Sequence, residues 1–206
     1  MALATALLAP SAAYADIVTT TENTAVILRS PSNDAFCSGT VIAVDGTDEI
    51  IATARHCAVG GPDKVQFFDG DIGQVQTFLG SPTDIMLLMV HSMHRHEHAR
   101  MSTIPIRRDQ SLYVFGMPLS DFWSLSRAYS TTGSLPTHDE TWPDSLRIDC
   151  TSCNHGSSGG GVFDTKGRLV GVLVGGRDDA AGHILIEPVQ DVIDLISTLG
   201  GQHVSK

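Results

Sequence analysis

An all-β fold in two halves, closed by one C-terminal helix, is what the sequence predicts, and three observations carry the prediction. Six short apolar runs and then six more are punctuated by Gly, Pro, Asn and Asp; a polar stretch rich in His and Arg, from His91 to about Arg108, separates the two sets; and helical spacing occurs only near the end. With 206 residues, 42% of them hydrophobic, and 20 glycines, the chain suffices for one globular unit or two small subdomains sharing an interface, built from short strands.

The first set of runs is AVILR, SGTVIAV, EIIATA, KVQFF, GQVQTFL and DIMLLMV, and the second is SLYVFG, RAYSTTGSL, SLRIDC, GVFD, RLVGVLVGG and HILIEP. In the tail, Val189, Val192, Ile193 and Ile196 recur at three-and-four spacing, Pro188 suits a first helical turn, and Gly200-Gly201 supplies the stop. Such a helix lays one apolar stripe on a β half. Ahead of everything, MALATALLAPSAAYA reads as a signal peptide over residues 1–15, although it lacks the Lys or Arg that ordinarily precedes the apolar run. The mature chain then begins at Asp16, with an N-terminal β half over 16–105 and a C-terminal β half plus helix over 106–206, and a secreted or periplasmic location is expected. No later apolar run approaches the ~18 residues of a membrane helix, so no membrane partner is expected after cleavage.

A formal net charge of -10 repels polyanions, which argues against nucleic acid as a partner and otherwise reads as plain solubility. Of the four cysteines, Cys37 and Cys57 lie far apart while Cys150 and Cys153 form a C-x-x-C. Disulfides are the default in an exported protein; three pairings are open, and a zinc site from the two pairs is the rival reading. In HSMHRHEHAR, the imidazoles of His91, His94, His96 and His98 offer metal ligands, but a solvated loop is the simpler account, so neither a metal nor another cofactor is expected.

Three strings carry chemistry. In TARHCAVGG, His56 ends a strand, where a neutral imidazole can take a proton. In GSPTDIMLLMV, Asp84 opens an apolar strand, where a carboxylate caps a turn or orients an imidazole. In CNHGSSGGGVFD, Ser158 lies among glycines that let the backbone aim amides at an oxyanion; a serine is a nucleophile only beside such a base, and the amides of Gly156 and Ser158 are the expected donors. Each string alone has a structural explanation, but together, in the order His, Asp, Ser, they describe one constellation.

TARHC, the aspartate of TDIMLL and GSSGG resemble the signature strings of chymotrypsin/trypsin-like serine proteases, in the same order and at similar separations, and the resemblance runs across almost the whole mature chain. SLYVFGMPLS with WSLSRAYSTTGSL resembles the start of the second barrel in bacterial Do-type and glutamyl-endopeptidase-like members, and GRLVGVLVGG resembles the strand lining their specificity pocket. The resemblance implies two six-stranded antiparallel β-barrels with the site between them. It also implies a triad of His56, Asp84 and Ser158 that hydrolyses protein or peptide substrates through an acyl-enzyme. A monomer is expected. Cys37 is implied to pair with Cys57, leaving Cys150 for Cys153. By offset from Ser158, Ser152 is expected at the pocket base, with Val174, Gly175 and Gly176 along one wall and His155 beside Gly156. No carboxylate is positioned there for Lys or Arg, so uncharged side chains are the expected preference, with His155 able to favour an acidic one.

Two positions depart from the family pattern, and the second has a consequence. Gly161 replaces the proline usual after the serine motif. Ser157 replaces the aspartate that, in the digestive members, pairs with a freed α-amino group to order the oxyanion loop; a hydroxyl cannot compensate a buried ammonium, so no buried terminus is expected here. The Cys150–Cys153 bridge is the candidate for stiffening the loop instead. Two other classes compete: a protease-like binding module without activity, and an α/β-hydrolase esterase, since GSSGG also fits G-x-S-x-G. The esterase fold requires a helix after the serine and the order Ser, acid, His, and neither is found.

Overall fold

The computed structural model describes residues 12–32, 34–59, 61–118, 123–133, 144–176 and 182–202; residues 1–11 of the expected signal peptide lie outside them. Helix α1 (Ala12–Thr24) leads into β1 (Ala25–Arg29), β2 (Ala35–Asp45) and β3 (Asp48–Ala54). The short helix α2 (Arg55–Ala58) and strands β4 (Lys64–Phe67), β5 (Ile72–Gly80) and β6 (Ile85–His91) complete the first half. The second half holds β7 (Ser111–Gly116), β8 (Ser124–Ser130), β9 (Leu146–Asp149), β10 (Gly161–Asp164), β11 (Leu169–Gly176), β12 (His183–Pro188) and helix α3 (Val189–Gln202).

Each half closes into an antiparallel six-stranded barrel, in the orders β1-β2-β3-β6-β5-β4 and β10-β11-β12-β9-β8-β7. Closure pairs every strand on both sides and leaves no free edge. Irregularities in register at Val41/Ala43 in β2 and at Leu173/Gly175 in β11 supply local bends. One apolar cluster fills the second barrel around Val114, Ile148, Val162 and Leu173. The larger cluster fills the first barrel and continues across the interface to Phe115, Phe163, Val172 and Val174. Strand β11 therefore faces two cores at once, which is why it reads as an unbroken apolar run rather than an alternating one.

Helix α1 spans the expected cleavage point at Ala15 and buries Ile17, Thr21 and Thr24 on its far side; other elements differ from expectation. Its segment TTTENT is a poor helix former, and Thr21 and Thr24 hydroxyls bond back to the carbonyls of Ile17 and Thr20, so packing holds it rather than propensity. Strand β8 begins earlier than RAYSTTGSL suggests and ends at Ser130; Ser134 and Leu135 lie outside the described residues. Helix α3 starts after Pro188 and continues through Gly200-Gly201 to Gln202. Its buried stripe is Val189, Val192 and Leu195, packed on β6 of the first barrel as well as on β11 and β12. The linker is not loose: Ala99 N–H bonds Val41 of the first barrel, and Arg100 and Ser102 both bond Leu169 of the second.

Candidate active site

Strands β3 and β6 are paired along their whole lengths, from Asp48 opposite His91 to Ala54 opposite Ile85. The ladder brings the residues just beyond its end, His56 in α2 and Asp84 before β6, to the same place. Arg55 N–H bonds the Asp84 carbonyl at 2.9 Å. The carboxylate then holds His56 twice: Oδ1 accepts the His56 backbone N–H at 2.9 Å and Oδ2 lies 2.6 Å from Nδ1. A carboxylate only accepts, so Nδ1 carries the proton and Nε2 is left free to take another. Asp84 is largely covered and His56 is half open, the exposure expected of an orienting acid and an accessible base.

Ser158 reaches the same place from the other barrel, in the loop between β9 and β10. Its carbonyl accepts Ser38 N–H of β2 at 2.8 Å. The glycines around it permit close approach rather than flexibility: a Cβ on Gly159, where φ is +83°, would stand 2.1 Å from the Ser38 carbonyl and 2.2 Å from Thr53 Oγ1. Gly156 also takes a positive φ of 89°, accessible at little cost only to glycine. His56 and Ser158 open onto one cavity of about 530 Å³, whose wall includes His155, Val174, Gly175 and Gly176.

Ser152 does not join them. It is exposed at the tip of a turn, because the Cys150–Cys153 disulfide (Cα–Cα 5.5 Å) pinches that segment, and its neighbours Thr151 and Cys153 face the cavity instead. The sequence reading missed His183 and Ile184, which also line the cavity; His183 Nε2 is 3.5 Å from Asp149 Oδ1. Only the pairing of β12 with β9 brings them there, a long-range contact with no local signal. Cys37 and Cys57 form the other disulfide. Among the described residues, Cys37, His56 and Cys57 are a group close enough to share a metal ion, but the two sulfurs are joined in that disulfide.

Buried Glu187 and its partly buried neighbour Asp191 lie outside the cavity. Glu187, 2% exposed, accepts Ser145 Oγ at 2.8 Å through Oε1, while Oε2 has no hydrogen-bond partner. Burial pushes its carboxyl up to about 7 against the Ser145 bond, and the charges of Asp191 and Asp84 add to the rise. Asp191 is likewise raised by burial, partly offset by bonds to Thr83 and Glu187. The histidine run is only partly the solvated loop expected. His91 and His94 are open to solvent beside Asp48 and Asp71, but His96 has a 7% exposed side chain, with Nδ1 3.5 Å from buried Glu49, and stacks on Phe67 with ring centroids 3.5 Å apart.

A trypsin-like peptidase domain model matches residues 37–172. No individually curated protein matches the chain in sequence. Among solved structures, the serine endoprotease from Yersinia pestis superposes with a TM-score of 0.75 at 18% identity, over 93% of this chain and 68% of that one. Rv3671c from M. tuberculosis gives 0.71 at 21% identity, over 94% and 96%. The HtrA-type protease AlgW with tripeptide gives 0.76 at 19% identity, over 92% and 64%. At these identities the structural likeness speaks for the fold.

Proposed function

The chain belongs to the trypsin-like peptidase family and is a serine-type protease, and we propose that it is an endopeptidase working through an acyl-enzyme on His56, Asp84 and Ser158. The supporting observation is the two-point hold of Asp84 on His56, with His56 lining the same cavity as Ser158. On this reading Ser158 Oγ attacks the scissile carbonyl and gives its proton to His56 Nε2, and the oxyanion is met by the amides of Gly156 and Ser158. His56 then protonates the leaving amine, and water, activated by the same imidazole, releases the acyl group. Val174, Leu173 and Ile184 on the cavity wall favour an uncharged side chain before the cut, at ~25 cal/mol per Å² buried, and among the described residues that line the cavity there is no carboxylate to pair with Lys or Arg.

Export is the second part of the reading. Two disulfides suit an oxidising compartment, and cleavage after Ala15 leaves Ile17, Thr21 and Thr24, the buried contacts of α1, in the mature chain. The test is a fluorophosphonate probe followed by peptide mapping and a peptide library. Label on Ser158 with cleavage inside peptides, mainly after uncharged residues, is expected. Labelling with turnover of simple esters alone, or no labelling, overturns the endopeptidase; cleavage mainly after Lys or Arg overturns the preference.

A further inference from the structure

The oxyanion loop of this chain lacks the aspartate that a buried terminus would need, and Ser157 stands in its place. Ser157 shapes the loop locally: its N–H bonds the Asn154 carbonyl at 2.9 Å and its Oγ accepts Asn154 N–H at 3.3 Å. That closes a turn but does not place the turn relative to His56, which belongs to the other barrel.

We infer that Ser38, on β2 of the first barrel, is the positioning residue that sets Gly156 and Ser158 against each other and against the base. The inference rests on the proposed proteolysis through Ser158. Ser38 is 1% exposed and every polar group it has is used. Its N–H holds the Ser158 carbonyl at 2.8 Å. Its Oγ donates to the Gly156 carbonyl at 2.8 Å and accepts Met117 N–H at 2.9 Å. Its own carbonyl accepts Thr53 Oγ1 at 2.8 Å. Since Met117 occupies a lone pair, the hydroxyl proton is committed to Gly156. The two residues whose amides are the proposed oxyanion donors are thus both referenced to one residue, 118 positions away in sequence from Gly156. The neighbouring Cys37 is bonded to Cys57, adjacent to His56, so consecutive residues of β2 tie down the base and the nucleophile's loop. Gly116 leaves room for this: a Cβ there would stand 3.1 Å from Ser38 Oγ and 3.4 Å from Ser157 Cα.

The full chain with Ser38→Ala, Ser38→Gly and Ser38→Thr tests it, using a peptide substrate, a peptide boronate that loads the oxyanion site, and the matching product peptide. Loss of the hydroxyl should lower kcat about 100-fold, on the scale of one mis-set oxyanion donor, with KM within about 3-fold, the pattern of an interaction needed in the transition state. Boronate affinity should fall with kcat while product affinity stays, and Ser38→Thr, which keeps the oxygen, should restore most of the loss. A kcat kept within about 3-fold in Ser38→Ala or Ser38→Gly overturns the inference. So does an equal loss of kcat and product affinity, or failure of both truncated variants to fold, since either makes Ser38 a scaffold residue. If the unaltered chain neither labels at Ser158 nor cleaves peptides, it is the proteolytic reading that fails, whatever the variants do.

Discussion

The two barrels reach the same cavity by different means. In the first, His56 and Asp84 sit at the end of a seven-pair ladder between β3 and β6, and their separation is set by backbone hydrogen bonds between adjacent strands. In the second, Ser158 lies in a loop with no ladder of its own, held by a short disulfide, a closed turn and bonds that cross to the first barrel. The proposed base and acid therefore depend on one barrel's integrity, whereas the proposed nucleophile depends on the docking of two. Damage to the ladder strands of the first should appear in folding, and damage to the bonds that seat the loop of the second in turnover.

The severest break is removal of the groups themselves. Ser158→Ala or His56→Ala alone should cost on the order of 10⁶-fold in kcat, since such groups act as a unit. Asp84→Asn should cost about 10⁴-fold, because an amide at that position favours the wrong imidazole tautomer. Hydrolysis assays on purified variants check both, and near-normal turnover in Ser158→Ala ends the proposal.

The two disulfides sharpen the contrast. Cys37–Cys57 spans 20 positions and Cys150–Cys153 only 3, so chain-entropy reasoning assigns about 3 kcal/mol to the first and about 2 kcal/mol to the second. Paired Cys→Ser replacements followed by urea unfolding and kinetics should show the larger stability loss for Cys37/Cys57. For Cys150/Cys153 the loss of kcat should be larger than its stability loss explains. Equal kcat in that variant and the parent removes the bridge from the account of the loop.

Glu187 gives a third test, at the back of the interface where α3 crosses both barrels. A carboxyl raised from 4.5 to about 7 in the folded chain binds its proton more tightly there than when unfolded. The associated stability is fully present below about pH 4.5 and is lost as pH rises through 7, a fall of about 3 kcal/mol. Glu187→Gln should flatten that slope, leaving the variant more stable than the parent at pH 8 and similar at pH 4, as read by denaturant midpoints. Parallel pH profiles for the two proteins refute the shift. The smallest effect expected is none at all: mature chain from Asp16 carrying several extra N-terminal residues should keep full turnover, and activity that appears only on trimming shows that a buried terminus is required.

Much of the fold was legible because barrels are built from local signals: most strands have an apolar run bounded by turn residues, and α3 has its stripe, whereas the largely polar β8 was misplaced. The strings around His56, Asp84 and Ser158 were legible for a related reason, since each places a reactive residue beside a strand end or among glycines. What stayed hidden depends on distant partners. Ser38 is an ordinary strand serine until Gly156 and Met117 arrive, and His183 is an ordinary strand histidine until β12 pairs with β9. His96 looked like one of four similar imidazoles, and only Phe67 and Glu49 distinguish it. Ser152 was misplaced by counting back from Ser158, a procedure that cannot see the pinch of a four-residue bridge.

The fit of Gly159 against Ser38 and Thr53 also bears on when the molecule becomes active after synthesis. Contacts so remote in sequence form late, because long loops must close before they are rewarded. A newly made chain can have both barrels closed and its imidazole already oriented while the serine still has no neighbour to take its proton. On the proposed mechanism, half-folded copies are then inert towards one another, and proteolytic competence arrives together with the final docked state.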